Sequence, residues 1–289
     1  MDAVDVVVLR AAGINCDEEI MHAWRLAGAR PELLHVNALA KQPALLEKYR
    51  IITIPGGFSY GDDIAAGTIF AQRLILDLLG PMRHFIEKGG GILGVCNGFQ
   101  ILVKVGLLPG GDLGREAVTV TYNDSAKFEA RWVRLEVCTD RCPFLTKMRR
   151  DGEASAVSGE FDPEREGKNA PRVAKRRYLE MPVEHAEGKV VTANESVAAE
   201  LEVRKQIAVR YVDAAGRVDS YPANPNGSTA GIAGLCDATG RVFGLMPHPD
   251  RYFDHLQHPL WTRRASTGPP DGLTLFQNAV AYWGSDESA

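Results

Sequence analysis

The chain reads as an α/β protein, a doubly wound and mostly parallel sheet with a central insertion, and three observations predict this. Short apolar runs without alternation recur through the first hundred residues, the pattern of strands buried on both faces. Segments with helical spacing separate them, as the crossovers of a parallel sheet require. Residues able to carry chemistry follow directly after the apolar runs, beyond the carboxyl ends of the strands, where sites in such sheets lie. A length of 289 residues with 45% hydrophobic content suits a single domain over 1–289 that carries an insertion.

Taken in order, Val4 to Leu9 reads as the first strand; it is short, contains Asp5 and has no basic lead, unlike a signal peptide. Cys16 to Ala27 has helical spacing. Ile51 to Ile54 is a buried strand, Ile64 to Leu79 a helix, and Pro81 restarts a helix that Gly89 ends. Gly91 to Val95 is the next strand, and Asn97 to Val105 opens the next helix. From about Leu113 to Val183 the pattern loosens into polar, Gly- and Pro-bearing stretches with intermittent strands, expected to form the insertion, with Gly159 to Pro171 as a surface excursion. Strand signals return at Gln206 to Val212, turn at Ala214-Ala215-Gly216 and finish at Val242 to Met246. Leu273 to Tyr282 closes as a helix, and no internal repeat is evident.

GILGVCNGFQ, from Gly91 to Gln100, has the form of a nucleophile elbow. A strand delivers Cys96 to a tight turn, Gly94 and Gly98 let the backbone bend closely around it, and a helix begins at once. A sulfur at a helix N-terminus faces unpaired N–H groups and the positive end of the dipole, which favour the anionic, nucleophilic form. The competing reading is a buried cysteine packed as a small hydrophobe, which gives no reason for the flanking glycines.

A thiol nucleophile needs a base, and the base an orienting group. RVFGLMPHPDR, from Arg241 to Arg251, places His248 between two prolines just past a strand, with Asp250 two residues on. The prolines fix two φ angles and bias their predecessors to extended backbone, and in an extended segment residues two apart share a face. His185-Ala-Glu187 has the same spacing. Spacing does not separate the two pairs; the rigid Pro-His-Pro frame favours His248. A third element is RIITIPGGFSYGDD, from Arg50 to Asp63, whose Gly56-Gly57-Phe58 turn can aim N–H donors at an oxyanion together with the Asn97 amide.

These residues resemble the class I, or triad, glutamine amidotransferases, and closely the glutaminase components of phosphoribosylformylglycinamidine synthase. The likeness runs nearly end to end. Arg10-Ala-Ala-Gly-Ile-Asn-Cys-Asp17 is similar to the opening signature, Pro55-Gly-Gly-Phe-Ser-Tyr-Gly-Asp62 to the oxyanion loop and Gly94-Val-Cys-Asn-Gly-Phe-Gln100 to the elbow. Phe128-Glu-Ala-Arg131, His185-Ala-Glu-Gly188, Tyr221-Pro-Ala-Asn-Pro-Asn-Gly-Ser228, Gly231-Ile-Ala-Gly234 and Met246-Pro-His-Pro-Asp-Arg251 match as well. One position departs: the usual carboxylate after Pro-His-Pro is glutamate, and Asp250 is one methylene shorter, a retreat on the order of 1.5 Å.

The resemblance implies that Cys96 attacks the side-chain amide of L-glutamine, that His248 and Asp250 complete the triad, that Gly57, Phe58 and Asn97 frame the oxyanion, and that Gln100 contacts the substrate. It implies ammonia delivery to a separate phosphoribosylformylglycinamidine synthetase, which would hold ATP and Mg, with or without a small accessory subunit. No cofactor is expected in this chain, which has no G-x-x-x-x-G-K-[ST] phosphate loop. Service to another acceptor, and a non-catalytic module on the same fold, stay open at this point.

Composition fits. A net charge of −4 argues against nucleic acid, and the basic stretches Lys147 to Arg150 and Arg172 to Arg177 are too local to change that. Five scattered cysteines suit a reducing, cytoplasmic setting. Cys138-x-x-x-Cys142 and His255-x-x-His258 each lack a second pair at ligand spacing, so no metal is expected. No apolar run is long enough to span a membrane.

Overall fold

The computed structural model describes residues 3–113, 117–146, 148, 177–218, 221–264 and 268–285. Parallel pairing begins at once. Strand β1 (Asp5–Arg10) leads through helix α1 (Asp17–Leu26) to β2 (Arg30–His35), and α2 (Val36–Lys41) leads on to β3 (Ile51–Ile54) on the other side of β1. Helices α3 (Thr68–Asp77) and α4 (Leu79–Glu87) cross back to β4 (Gly91–Val95), which α5 (Asn97–Val105) follows. β3 and β4 are buried at every residue, the expected consequence of helices on both faces.

The second half turns antiparallel. β5 (Val118–Thr121) and β8 (Lys189–Thr192) form a separate two-stranded sheet, while β6 (Glu129–Val137), β7 (Tyr178–His185), β9 (Ile207–Val212), β10 (Ile232–Cys236) and β11 (Val242–Leu245) join the main one. Helix α6 (Glu195–Val203) links β8 to β9, and α7 (Asp271–Trp283) closes the chain. The main sheet has nine strands among the described residues, ordered β2-β1-β3-β4-β11-β10-β9-β6-β7. β11 lies parallel to β4, and the four pairings beyond it are antiparallel. Alternating direction four times returns β9 and β7 to the common sense. Only β10 and β6 are opposed, so the sheet is mostly parallel and the carboxyl ends of β1, β3, β4, β11 and β7 meet along one edge.

Two expectations change. The stretch from 113 to 183 contributes β6 and β7 to the main sheet; Gly159 to Pro171 lies outside the described residues, as does most of both basic stretches. β6 alternates in burial along its length, so it lacks the continuous apolar signature of the parallel strands. The helix expected from Ile64 begins at Thr68, because Tyr60, Asp62 and Gly67 take left-handed backbone in the preceding turn. It also breaks at Leu78, which has φ −134°.

Candidate active site

Cys96 ends β4 with φ 51° and ψ −105°, a strained conformation for a residue with a side chain. Its neighbours impose it: the Cys96 N–H donates to the Leu245 carbonyl at 2.8 Å, and the Gln100 N–H donates to the Cys96 carbonyl at 3.1 Å. The flanking glycines are needed for close approach. A Cβ on Gly98 would sit 1.9 Å from the Ile54 carbonyl oxygen, and one on Gly94 would sit 2.7 Å from the Gly98 oxygen. Cys96 is buried, and its Sγ lies 3.7 Å from the Glu184 carbonyl at the end of β7.

The Pro-His-Pro segment docks on that same strand, where the His248 N–H donates to the Pro182 carbonyl at 2.8 Å. Nδ1 of His248 lies 3.3 and 3.5 Å from the two oxygens of Asp250, both residues being buried. Gly56 makes room for the ring carbon between the two nitrogens: a Cβ there would lie 2.8 Å from His248 Cε1, 3.3 Å from Cys16 Sγ and 3.5 Å from Cys96 Cβ. Burial alone would lower the His248 pKa, but the charges of Asp250 and the nearby Cys96 sulfur, with the hydrogen bond to Asp250, raise it to about 10. Thiol, imidazole and carboxylate therefore form one connected unit.

His185 is built differently. Asn123 donates to the Lys127 and His185 carbonyls at 2.9 and 2.8 Å, and its Oδ1 accepts from the Gly188 N–H at 3.0 Å. That oxygen lies 3.1 Å from His185 Nδ1, which therefore carries the proton, so Nε2 of the neutral ring is a bare lone pair. Nε2 is buried and has no hydrogen-bond partner. Burial, then the charge of His248, lowers the His185 pKa to about 4. Glu187, the carboxylate two residues on, accepts from the Ala66 N–H at 3.2 Å instead of gripping the ring. Only the pair at 248 and 250 has the form of a base with its orienting acid.

The Gly56-Gly57 turn lies against the segment after β1. Gly57 has φ 140°, and a Cβ on it would come within 2.9 Å of the Gly13, Ile14 and Asn15 backbone. Cys16 N–H donates to the Gly56 carbonyl at 3.3 Å and Phe58 N–H to the Gly13 carbonyl at 2.9 Å. Across the cleft, the Asn97 amide opens α5 and has no acceptor inside the helix. Its side chain does more than the sequence suggests. It accepts from the Ser59 N–H at 3.3 Å and donates to Asp62 and Gln100 at 3.2 and 3.0 Å, clipping the oxyanion loop to the elbow. Gln100 is buried in the cleft wall and donates to the Glu187 carbonyl; Phe58 stands half exposed at the mouth.

Three contributors carry no recognisable sequence spacing. Asn123 sets the His185 tautomer. Cys16 enters from the β1 loop, and Arg251 donates to its Sγ at 3.5 Å while pairing with Glu184 and, at 3.5 Å, with Glu19. The signals for Cys16 and Arg251 are their places inside Asn-Cys-Asp17 and Pro-His-Pro-Asp-Arg251.

Residues 3–161 and 164–283 match the CobB/CobQ-like glutamine amidotransferase domain. A phosphoribosylformylglycinamidine synthase subunit PurQ of Dehalococcoides mccartyi is 39% identical over 283 residues, 98% of each chain. The subunit of that name from Archaeoglobus fulgidus is 36% identical over 97% of each. This chain belongs to the PurQ family of glutamine amidotransferases. The structure of PurLQS from Thermotoga maritima aligns with this PurQ-family chain at a TM-score of 0.66 and 27% identity, over 97% of this chain and 99% of that one. A putative GMP synthase component from Thermoplasma acidophilum, at 12% identity and a TM-score of 0.51 over 98% of this chain and 96% of that one, shares the fold alone.

In this PurQ-family chain the short acid leaves a visible gap. Contacts of 3.3 and 3.5 Å exceed the roughly 2.7–2.9 Å of a good charge-assisted bond, and Asp250 Oδ1 makes no hydrogen bond. Asp250 holds the imidazole mainly by charge.

Proposed function

We propose that this chain is the glutaminase subunit of phosphoribosylformylglycinamidine synthase, releasing ammonia from L-glutamine for purine biosynthesis. The observation that carries the reading is Cys96 on its strained elbow, in one cleft with His248, which Asp250 backs. Cys96 attacks the side-chain amide carbon, and the oxyanion is received by the Asn97 and Gly57 amides, the Phe58 N–H being held by the Gly13 carbonyl. His248, held as imidazolium beside the sulfur, gives its proton to the departing ammonia. It then takes one from the water that cleaves the thioester to glutamate. Gln100, with His185 nearby, forms the wall against which the substrate lies.

The consumer of ammonia is a PurL-type synthetase, and the further partner is a small protein of the PurS type; ATP and Mg belong to that synthetase. The PurLQS structure supports this assembly, as does the lack of a phosphate loop in this sequence. All five cysteines are free, which supports a cytoplasmic setting, and no helix among the described residues is long and apolar enough to cross a membrane.

Cys96→Ala tests the reading in the reconstituted complex. Glutamine-dependent amidine synthesis is expected to vanish while ammonia-dependent synthesis stays within about twofold, because the thiol serves only to release nitrogen. Retained glutamine use removes Cys96 from the mechanism.

A further inference from the structure

We propose that Cys16, His248 and Asp250 form a binding site for a thiophilic divalent cation of the zinc class, and that its occupation turns the glutaminase off. One sulfur, one nitrogen and one oxygen donor, all from buried residues, lie within 4.8 Å of one another. No short-range spacing announces this set, because position 16 is joined to 248 and 250 only by the sheet. The independent sign of room for a further partner is Asp250 Oδ1, which is fully buried, faces His248 Nδ1 at 3.3 Å and accepts no hydrogen bond. A buried carboxylate oxygen without a hydrogen bond is unfavourable, and a cation bound there relieves it.

The donor set selects the ion. A thiolate with an imidazole and a carboxylate suits zinc and its thiophilic neighbours, not magnesium or calcium, which take oxygen ligands. Thiolate and carboxylate charges together neutralise a divalent ion, so the filled site is buried without net charge. Bonds of about 2.0–2.3 Å in a tetrahedron place donors roughly 3.3–3.8 Å apart, so the set contracts by about 1 Å, within reach of side-chain rotation. Arg251 opposes a cation at Cys16 but is already paired with Glu184 and Glu19.

Binding displaces the Cys16 thiol proton and the Nδ1 proton to solvent, with no change of oxidation state. A ring ligated through Nδ1, the nitrogen facing Asp250, keeps its remaining proton on Nε2 and has no lone pair with which to take another. Inhibition thus rests on the reading of His248 as the proton carrier; binding does not.

The test is titration of the reduced, chelator-stripped full chain with cobalt(II), followed by the thiolate-to-cobalt charge-transfer absorption. One cobalt per chain is expected, with the band retained in Cys96→Ala, absent in Cys16→Ser, and at least about tenfold weaker in apparent affinity in Asp250→Asn. Near-ultraviolet circular dichroism checks that Cys16→Ser is folded, and Asp250→Asn carries the test if it is not. A band that survives in Cys16→Ser, or no binding by the parent chain below millimolar cobalt, overturns the site. In the assembled complex, zinc is expected to inhibit glutamine hydrolysis over the range in which it displaces cobalt, with ammonia-dependent synthesis less affected. Binding at this site without inhibition leaves the site standing and overturns the role given to His248.

Discussion

His248 and His185 line one cleft and are pushed in opposite directions, one up to about 10 and the other down to about 4. Their variants should part accordingly. His248→Ala is expected to lower the turnover of glutamine by about 10³-fold or more, as loss of a triad base does. Asp250→Glu, which restores reach to a carboxylate now 3.3 Å from the ring, should stay within about tenfold of the parent. A larger loss for Asp250→Glu in steady-state glutaminase assays would show that the short acid is required. His185 also sets a pH dependence of stability. Its pKa is depressed in the folded chain, so between about 6.5 and 4 the unfolded chain binds more protons, and stability falls as pH falls through that window. The raised His248 acts in the opposite sense, its contribution full below 6.5 and lost as pH climbs through about 10. His185→Gln should flatten the acid side, removing up to about 3 kcal/mol of the change in urea-unfolding free energy between pH 6.5 and 4. His258, also lowered by burial, keeps some slope in both proteins.

At the scale of elements, what can be read from the residues depends on how each strand is buried. β3 and β4 are covered on both faces, and their bounds are legible to the residue. β2 is not legible, since Arg30–His35 alternates exposed and half-buried positions and begins Arg-Pro. β6 and β7 read as part of an excursion for the same reason. The elbow, the Pro-His-Pro frame and the oxyanion turn are legible because each needs glycine or proline at a set place. Cys16, Asn123 and the Asn97 clip are not, because their roles exist only once distant strands are aligned. The glycines provide a direct check. Gly98→Ala drives a Cβ to 1.9 Å from the Ile54 oxygen, and a loss of about 2–4 kcal/mol in urea unfolding is expected. Gly80 in α4 has nothing within 4 Å of such a Cβ, so Gly80→Ala should be neutral or stabilising by up to about 1 kcal/mol.

Across the whole molecule, the catalytic edge is supplied by strands from both ends of the sequence. β7, at the far margin of the sheet, holds Glu184 beside Cys96 and holds the Pro182 carbonyl beneath His248. The contact between Arg251 and Cys16 spans 235 residues of chain, and that between Cys96 and Glu184 spans 88. Closing such loops is slow, because the entropy is lost before the contact is gained, whereas α1, α5 and α7 can form from local interactions. Activity should therefore be a late event in refolding. After dilution from urea, helical circular dichroism is expected to return in an earlier phase than the capacity to form a thioester with labelled glutamine. Simultaneous recovery of the two signals would mean that β7 docks as early as the parallel half forms. If the lag is found, a nascent chain will carry Cys96 between its strand and its helix, without the Leu245 carbonyl that holds its backbone, while the remaining two-thirds of the protein is made. During that interval the nucleophile has neither its base nor its far wall, and hydrolysis waits for the last strand to arrive.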